Sequence, residues 1–128
     1  MSTPTITSAA PFFIVRDLPQ ALEFYRLKLG FDVMYEAPQG NPFFAIVVRG
    51  GAMLMLKCVD APPLPNSERD ADARWDAYFS TPDPDALASE LTDRGVAFSV
   101  ALANTDDGLR GFEIKDPDGY VLFFGRPR

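Results

Sequence analysis

The sequence predicts an α+β fold built from two βαβββ repeats, and three observations lead to this prediction. Each half of the chain has a short apolar stretch, a stretch with helical periodicity and three further strand-like stretches, in that order. Both helical stretches begin after an aspartate, which is a good N-cap, and end at a glycine. Turn glycines and apolar positions also match between the halves. We therefore expect one domain over residues 1–128, with a first half at about 8–58, a linker at about 59–73 and a second half at about 74–126.

The first half starts with a predicted strand at residues 11–15, which is short, aromatic and branched. Asp17 is expected to cap the helix that follows, and Gly30 to close it in a left-handed conformation. Three strands are predicted next, at residues 31–36, 43–48 and 52–58, because glycine-containing turns separate these apolar stretches. The apolar positions of the helix recur at helical spacing and are Leu18, Leu22, Tyr25 and Leu29.

The second half repeats this order after a linker rich in proline, aspartate and alanine. Its first strand is predicted at residues 74–80, and Asp83 is expected to cap a helix whose first residue is Pro84. Strands at residues 96–102, 111–115 and 120–125 follow. In the match between the repeats, Phe44 and Ile46 correspond to Phe112 and Ile114, and Leu54 and Leu56 correspond to Leu122 and Phe124. The last four of these residues are expected on the helix-covered side of the sheet.

The composition excludes several classes of function. No histidine is present, so Ser-His-Asp and Cys-His triads are impossible and the commonest ligand of zinc, nickel and iron is missing. The single cysteine, Cys58, excludes an internal disulfide. A net charge of −6 argues against nucleic acid as a partner. The apolar runs are too short to cross a bilayer and the N-terminus does not resemble a signal peptide, so we expect a soluble, cytoplasmic protein without a membrane partner.

Two motifs resemble a known superfamily. Val15-x-Asp17-Leu18, with Phe24-Tyr25 and Leu29-Gly30-Phe31 after it, resembles the opening motif of the glyoxalase, bleomycin-resistance and extradiol-dioxygenase proteins, the vicinal oxygen chelate superfamily. The stretch from Asp116 to Tyr120 (DPDGY) resembles the last hairpin of that superfamily. The resemblance implies a cup-shaped mixed sheet with the helices on its outer face. It also implies a homodimer, because paired units of this superfamily commonly complete clefts across chains.

The resemblance also implies four metal-ligand positions, two on each repeat. Carried over by spacing, these positions hold Ala10, Met55, Ala77 and Phe123, with Asp76 as an alternative to Ala77. Alanine and phenylalanine cannot bind a divalent cation, and a thioether suits only soft copper(I). We therefore expect no metal and no other cofactor, which makes metal-dependent glyoxalase or dioxygenase activity improbable on chemical grounds. The metal-free, bleomycin-resistance-like branch is the part of the superfamily that the sequence resembles.

Strand alternation predicts what faces the cleft in place of a metal. Arg110 is a further candidate for holding a ligand carboxylate or phosphate, and Glu113 is both a ligand-binding and a weak catalytic candidate. The alternative for the apolar residues is packing against the core or a partner chain. The alternative for Glu113 is a salt bridge, and the alternative for Arg110 is exposure to solvent. Cys58 has the opposite parity from Met55, so its side chain is expected to point away from the cleft. We expect it to be an inert thiol. The predicted ligand-binding residues that share the parity of the metal-ligand positions are Phe12, Met53, Met55, Lys57, Trp75, Phe79 and Phe123.

Three functions are compatible with these observations. The first is metal-independent binding of an aromatic or cationic small molecule in an apolar cleft, as in bleomycin-resistance proteins, which act by holding the drug. The second is a metal-free lyase or isomerase that acts on a small carbonyl compound, with Glu113, Lys57 and Asp76 as its candidate groups. The third is an accessory subunit without a small ligand. A ligand screen by thermal shift separates the first two from the third.

Overall fold

The computed structural model describes residues 3–128 and contains the βαβββ unit twice. The first unit consists of β1 (Phe12–Ile14), α1 (Leu18–Glu23, continued by a π-helical turn over Phe24–Lys28), β2 (Asp32–Ala37), β3 (Phe44–Arg49) and β4 (Ala52–Lys57). The second consists of β5 (Ala77–Ser80), α3 (Pro84–Asp93), β6 (Val100–Asn104), β7 (Leu109–Lys115) and β8 (Val121–Pro127). A short helix, α2 (Asn66–Arg69), lies between them. Within residues 3–128, no helix has the length and hydropathy needed to cross a bilayer.

The strands form two four-stranded mixed sheets, so the predicted α+β class is confirmed. The order is β1-β4-β3-β2 in the first sheet and β5-β8-β7-β6 in the second. In each sheet the first strand pairs parallel to the last, and the other pairs are antiparallel. Phe12 lies opposite Met55 and Tyr78 lies opposite Phe123, so Phe12 and Tyr78 are equivalent positions of the repeat.

The predicted helix boundaries are confirmed at their caps. The Asp17 carboxylate accepts a hydrogen bond from the Gln20 N–H at 3.0 Å, and Asp83 accepts one from the Ala86 N–H at 3.0 Å. Each bond satisfies one of the backbone donors that a helix N-terminus leaves free. The first helix ends at Gly30, whose φ of 70° is the left-handed conformation that favours glycine. The π-helical turn was not predicted, since the apolar spacing alone indicates an ordinary helix.

One hydrophobic core joins the two units through the helix-covered faces of both sheets. The Phe13 and Tyr120 rings stack across the junction at 4.1 Å, and Phe31 meets Phe79 edge-to-face at 6.3 Å. The long helices α1 and α3 pack on these covered faces, and the opposite face of each sheet is called its open face below. The predicted core residues are confirmed by their exposed fractions, which are 0% for Leu54, Leu56 and Leu122 and 5% for Phe124.

The predicted correspondence of β3 with β7 is wrong by one residue. Phe44 pairs with Lys57 and Ile46 with Met55, which puts both on the open face. The core residues of β3 are Ala45 and Val47, and these are the equivalents of Phe112 and Ile114.

The turn at residues 116–119 ties the second unit to the first. The Tyr25 hydroxyl donates to Asp116 Oδ2 at 2.8 Å, and the Arg16 N–H donates to Asp118 Oδ1 at 3.0 Å. The Tyr120 hydroxyl donates to the Ile14 carbonyl at 2.7 Å. Burial, which outweighs the hydrogen bond from Tyr25, raises the pKa of Asp116 to about 6. The residues that carry the family resemblance are thus residues that hold the two units together.

Candidate functional site

The open face of the first sheet carries an apolar row across all four strands. Strand pairing aligns Phe12, Met55, Ile46 and Tyr35 in this row. Phe12 and Tyr35 are 54% and 53% exposed, which is high for aromatic side chains on a sheet. Phe44 lies in the next row, with its ring centroid 6.1 Å from that of Phe12 and 6.2 Å from that of Tyr35. This face is an aromatic surface that a flat molecule or another protein surface can cover.

Lys57 provides the cationic group on the same face. It lies directly opposite Phe44, and its Nζ is 5.8 Å from the ring centroid of Phe43, which is 51% exposed. Met53 lies four residues before Lys57 on β4, so it shares this face with Lys57. Phe12, Met53, Met55 and Lys57 therefore share one face of the first sheet.

The open face of the second sheet carries a stack of three aromatic rings. Trp75 stacks on Phe123 with the centroids 4.3 Å apart, and Tyr78 stacks on Phe123 at 5.5 Å. Strand pairing puts Glu113 beside Phe123 and Val100 beside Glu113 in the same row. Tyr78 is 41% exposed and Val100 is 45% exposed. This face is thus aromatic on one side of Phe123 and carries a carboxylate on the other.

Phe123 lies beneath the other two rings and is only 1% exposed. Two glycines make room for it, because a Cβ on Gly111 would lie 2.5 Å from Phe123 Cζ and one on Gly125 would lie 2.6 Å from Phe123 Cε1. The ring therefore lies flat against the backbone of β7 and β8. The prediction that Phe123 forms a wall open to a ligand needs correction, since Trp75 and Tyr78 present the accessible surface.

The surroundings of Trp75 have two features that the sequence did not reveal. The Arg74 guanidinium lies 4.7 Å from the indole centroid and forms a 3.0 Å ion pair with Asp107. The indole Nε1 is buried and has no hydrogen-bond partner within residues 3–128. Arg74, Tyr78 and Asp107 were all missed. Only Tyr78 could have been found from the sequence, through its equivalence to Phe12.

Two predicted ligand-binding residues, Phe79 and Arg110, lie on the covered side instead. Phe79 is 9% exposed and stacks on Phe124 at 4.7 Å, because β5 presents Tyr78 rather than its neighbours to the open face. Ala77 is buried with it. Arg110 donates to both carboxylate oxygens of Asp85 on α3 at 2.7 Å, which also holds the pKa of Asp85 below its usual range. The Arg110 guanidinium, which was predicted to hold a ligand, therefore forms an ion pair with Asp85 of the same chain.

Glu113 and Cys58 lie where strand parity predicts. No ion pair involving Glu113 occurs within the part of the chain that the structure describes, although one with a lysine or arginine was the alternative. Cys58 is half-buried, packs against the core and donates its thiol to the Arg16 carbonyl at 3.3 Å. Of these two groups, only the Glu113 carboxylate is placed to meet a ligand.

Within residues 3–128, the aromatic side chains of the two open faces make no contact with each other. Each open face keeps its aromatic contacts within its own sheet, whereas the contacts between the units lie on the covered side. A separate cavity of about 590 Å³ lies at the seam between the units. Among the predicted site residues it is lined by Met53 and Phe79, with Phe31, Leu91 and Phe124 supplying further apolar walls.

The metal-ligand positions of the superfamily do not fit a metal ion. Strand register makes Asp76, not Ala77, the equivalent of Ala10, because Tyr78 is the equivalent of Phe12. Both Asp76 oxygens already accept backbone hydrogen bonds, from Asn66 and from Val121, each at 2.8 Å. Met55 and Phe123 supply no hard ligand. No group of three potential ligands among His, Cys, Asp and Glu occurs within residues 3–128.

Several solved structures share this fold over nearly the whole chain. TioX from Micromonospora sp. ML1 is 19% identical with a TM-score of 0.75, and the alignment covers 94% of this chain and 98% of TioX. The bleomycin-binding protein of Streptomyces verticillus, solved with copper(II)-bleomycin, is 24% identical with a TM-score of 0.73, covering 98% and 100%. TnmS3, an antibiotic binding protein from Streptomyces sp. CB03234, is 25% identical with a TM-score of 0.67 and the same coverage.

The sequence itself assigns the family. No curated protein matches the chain at a significant level. The family model described as "Glyoxalase/Bleomycin resistance protein/Dioxygenase superfamily" matches residues 6–124, which include both repeats and both motifs. This chain therefore belongs to the glyoxalase, bleomycin resistance protein and dioxygenase superfamily.

Proposed function

We propose that this protein is a metal-independent binding protein that sequesters an aromatic or cationic small molecule in an apolar cleft. One observation carries the proposal. Of the positions equivalent to metal ligands, Ala10, Met55 and Phe123 are apolar, and both oxygens of the fourth, Asp76, already accept backbone hydrogen bonds. Aromatic side chains lie beside Met55 and Phe123 on the two open faces. Holding a compound on such a surface needs no catalytic group, which is how a resistance protein of the bleomycin type protects a cell. The antibiotic-binding proteins among the structural neighbours support the same class of function.

The charges on the two faces favour a cation. Glu113 adjoins the aromatic stack and forms no ion pair within the described part of the chain. The net charge of −6 attracts cations over longer distances, although salt screens that attraction. Lys57 on the first sheet would hold an acidic or carbonyl group of the same ligand.

The binding test is a calorimetric titration with copper(II)-bleomycin and with 9-aminoacridine, a planar cation. We expect at least one of them to bind and to be recovered unchanged, and a chelator to leave the binding of 9-aminoacridine unaltered. Glu113→Gln should weaken the binding of the cation, and more strongly at low salt, because an exposed carboxylate attracts it through a screened field. Trp75, the only tryptophan, reports binding through its fluorescence.

Absence of binding by both compounds would contradict the proposed function for these ligand classes, and loss of binding on metal removal would contradict metal independence. Glu36→Gln is the matched control for charge, because Glu36 is a carboxylate on β2 of the other sheet. It should leave the affinity for 9-aminoacridine unchanged.

The second candidate is a metal-free lyase or isomerase acting on a small carbonyl compound. The specific observation in its favour is the Glu113 carboxylate, which lies on an open face without an ion-pair partner in the described residues and so is available as a general base. Conversion of a bound carbonyl compound that Glu113→Gln abolishes would favour this candidate over sequestration.

We further propose that two copies of the chain form the cleft. Within residues 3–128, no aromatic contact joins the two open faces. A second copy would bring an open face of the first sheet against an open face of the second. Surfaces this apolar are normally covered in a soluble protein. The exposed large apolar side chains on and beside these faces are Phe12, Met34, Tyr35, Phe43, Tyr78 and Val100, each between 41% and 54% exposed.

Sedimentation equilibrium at micromolar concentration should therefore give the mass of a dimer. Phe12→Asp and Tyr78→Asp should each shift the equilibrium toward monomer, because each buries a charge in the proposed interface. Leu27→Asp is the control, since Leu27 is 56% exposed but lies on the helical side. A wild-type monomer, or equal effects of all three substitutions, would show that the open faces are not the interface.

A further inference from the structure

The outer face of the Trp75 indole is occupied by a side chain of the same protein. Phe123 covers the face that points toward the sheet, with the centroids 4.3 Å apart and the rings nearly parallel at 23°. The Arg74 guanidinium lies over the ring at 4.7 Å from the indole centroid. Because Phe123 already fills one face at stacking distance, the guanidinium has room only on the other face. A guanidinium is flat, delocalised and positively charged. The indole is therefore already in contact with a group that has the shape and charge of a small planar cation.

Asp107 supplies the counter-charge for that group. Its Oδ2 accepts from Arg74 Nη1 at 3.0 Å, and its Oδ1 is bonded to the Thr105 hydroxyl, which in turn accepts from the Leu109 N–H at 2.9 Å. The bond to Thr105 does not depend on Arg74, so the carboxylate stays oriented when the arginine moves away. The Thr105 hydroxyl first and the Arg74 guanidinium second lower the pKa of Asp107, which keeps it ionised at neutral pH.

Arg74 is held too weakly to be a fixed part of the structure. Its side chain is 53% exposed and that of Asp107 is 50% exposed. An exposed ion pair and an exposed cation–π contact are each among the weakest interactions in proteins. A ligand with a larger flat cationic surface gains more from the indole than a guanidinium does, because stacking grows with the area in contact. Such a ligand can displace the arginine.

We infer that the Trp75 indole and the Asp107 carboxylate form a subsite for a flat, delocalised organic cation, and that Arg74 is its internal occupant in the unliganded protein. The inference rests on the proposed binding function and names the ligand class for the second sheet. Trp75 provides the stacking surface, Asp107 pairs with the positive charge, and Arg74 leaves for solvent when the ligand arrives. Arg74 then acts as a competitor, so removing it strengthens binding.

The test compares calorimetric affinities for 9-aminoacridine among single variants. Arg74→Ala should bind about three- to tenfold more tightly than wild type, because the ligand no longer displaces a cation–π contact and an ion pair. Asp107→Asn should bind about three- to tenfold more weakly. Arg69→Ala is the control, because it removes an exposed arginine on α2 that makes no ion pair and no cation–π contact within residues 3–128, and it should behave like wild type. Acridone, a neutral planar analogue, should not respond to Asp107→Asn.

A second measurement needs no ligand. The fluorescence of Trp75 in Arg74→Ala should be quenched more strongly by acrylamide than in wild type, because the outer indole face becomes exposed, while Arg69→Ala should be unchanged. Equal quenching in Arg74→Ala and wild type, or weaker cation binding by Arg74→Ala, would overturn the inference. If 9-aminoacridine binds but ignores Arg74→Ala and Asp107→Asn, the proposed function stands and the subsite is wrong. If neither compound binds any variant, both are overturned for planar aromatic ligands.

Discussion

Replacing Leu56 by alanine should lower the free energy of unfolding by about 2–5 kcal/mol, whereas replacing its neighbour Met55 should cost well under half as much. Leu56 is 0% exposed and packs in the core that joins the two units. Met55 is half-exposed on the open face of the same strand. Truncating Leu56 therefore leaves a cavity that the rigid surroundings cannot fill, while truncating Met55 removes a side chain that is already partly in water.

Urea denaturation of the two variants beside wild type measures both values. The adjacent positions share a strand, a backbone conformation and nearly the same local sequence, so the comparison isolates the face of the sheet. In a dimeric protein the comparison is made at one fixed protein concentration, because association adds to the apparent stability. Equal losses would mean that the open face is buried as deeply as the core, and the proposed cleft would have no room for a ligand.

The parity of β4 and β8 could be predicted because a turn glycine fixes the register before the apolar alternation begins. Gly51 and Gly119 each precede a core leucine by three residues, Leu54 and Leu122. The helix caps Asp17 and Asp83 were equally readable, since a capping carboxylate acts through bonds to the next few residues. Local chemistry of this kind fixes where a helix begins.

Apolar alternation alone does not predict the parity of β3 and β5. Residues 43–48 (FFAIVV) are apolar on both faces, so alternation does not distinguish them. Strand pairing alone shows that small Ala45 faces the core, while large Phe44 faces outward. In β5, the aromatic neighbours Tyr78 and Phe79 differ in burial for the same reason, because pairing with β8 decides which of them turns inward.

The arrangement of the candidate site depends on contacts between distant residues. Arg110 is bound by Asp85 on α3, which lies 25 positions away. Phe123 is covered by Trp75 because Gly111 and Gly125 let its ring lie against the sheet. Whether the two open faces meet depends on how the units pack, and no local pattern encodes that. The residue types of the site could therefore be predicted from the sequence, but their grouping could not.

The junction between the units contains a carboxyl group whose environment makes stability depend on pH. Asp116 is only 5% exposed, and its oxygens accept hydrogen bonds from the Tyr25 hydroxyl and from the N–H groups of Asp118 and Tyr120, at 2.8 to 2.9 Å. Burial nevertheless raises its pKa from the ordinary value of 3.8 to about 6, and the nearby Asp118 carboxylate adds to the rise. The chain has no histidine, so no imidazole titrates alongside Asp116 between about pH 5 and pH 7.5.

Wild-type protein should therefore become more stable as the pH is lowered from about 7.5 to about 5, by roughly 1–2 kcal/mol from this group alone. The folded state, in which the pKa is about 6, binds the proton more tightly than the unfolded chain, in which it is near 3.8. The stabilisation is complete below the pKa of the unfolded chain and is lost as the pH rises through the pKa of the folded state.

Melting temperatures across this pH range, for wild type and for Asp116→Asn, measure this stabilisation. Asparagine keeps the acceptor for the Asp118 and Tyr120 N–H groups and can donate to the Tyr25 hydroxyl, so only the titration is removed. The variant should lose most of the pH dependence. The carboxylates whose pKa is lowered, Asp85, Glu90 and Asp107, oppose the trend only at more acidic pH, since their stabilisation is lost as the pH falls through their folded pKa. If wild type and Asp116→Asn change in parallel between pH 7.5 and 5, the buried carboxyl is not the group responsible, and Asp116 is ionised at the junction throughout.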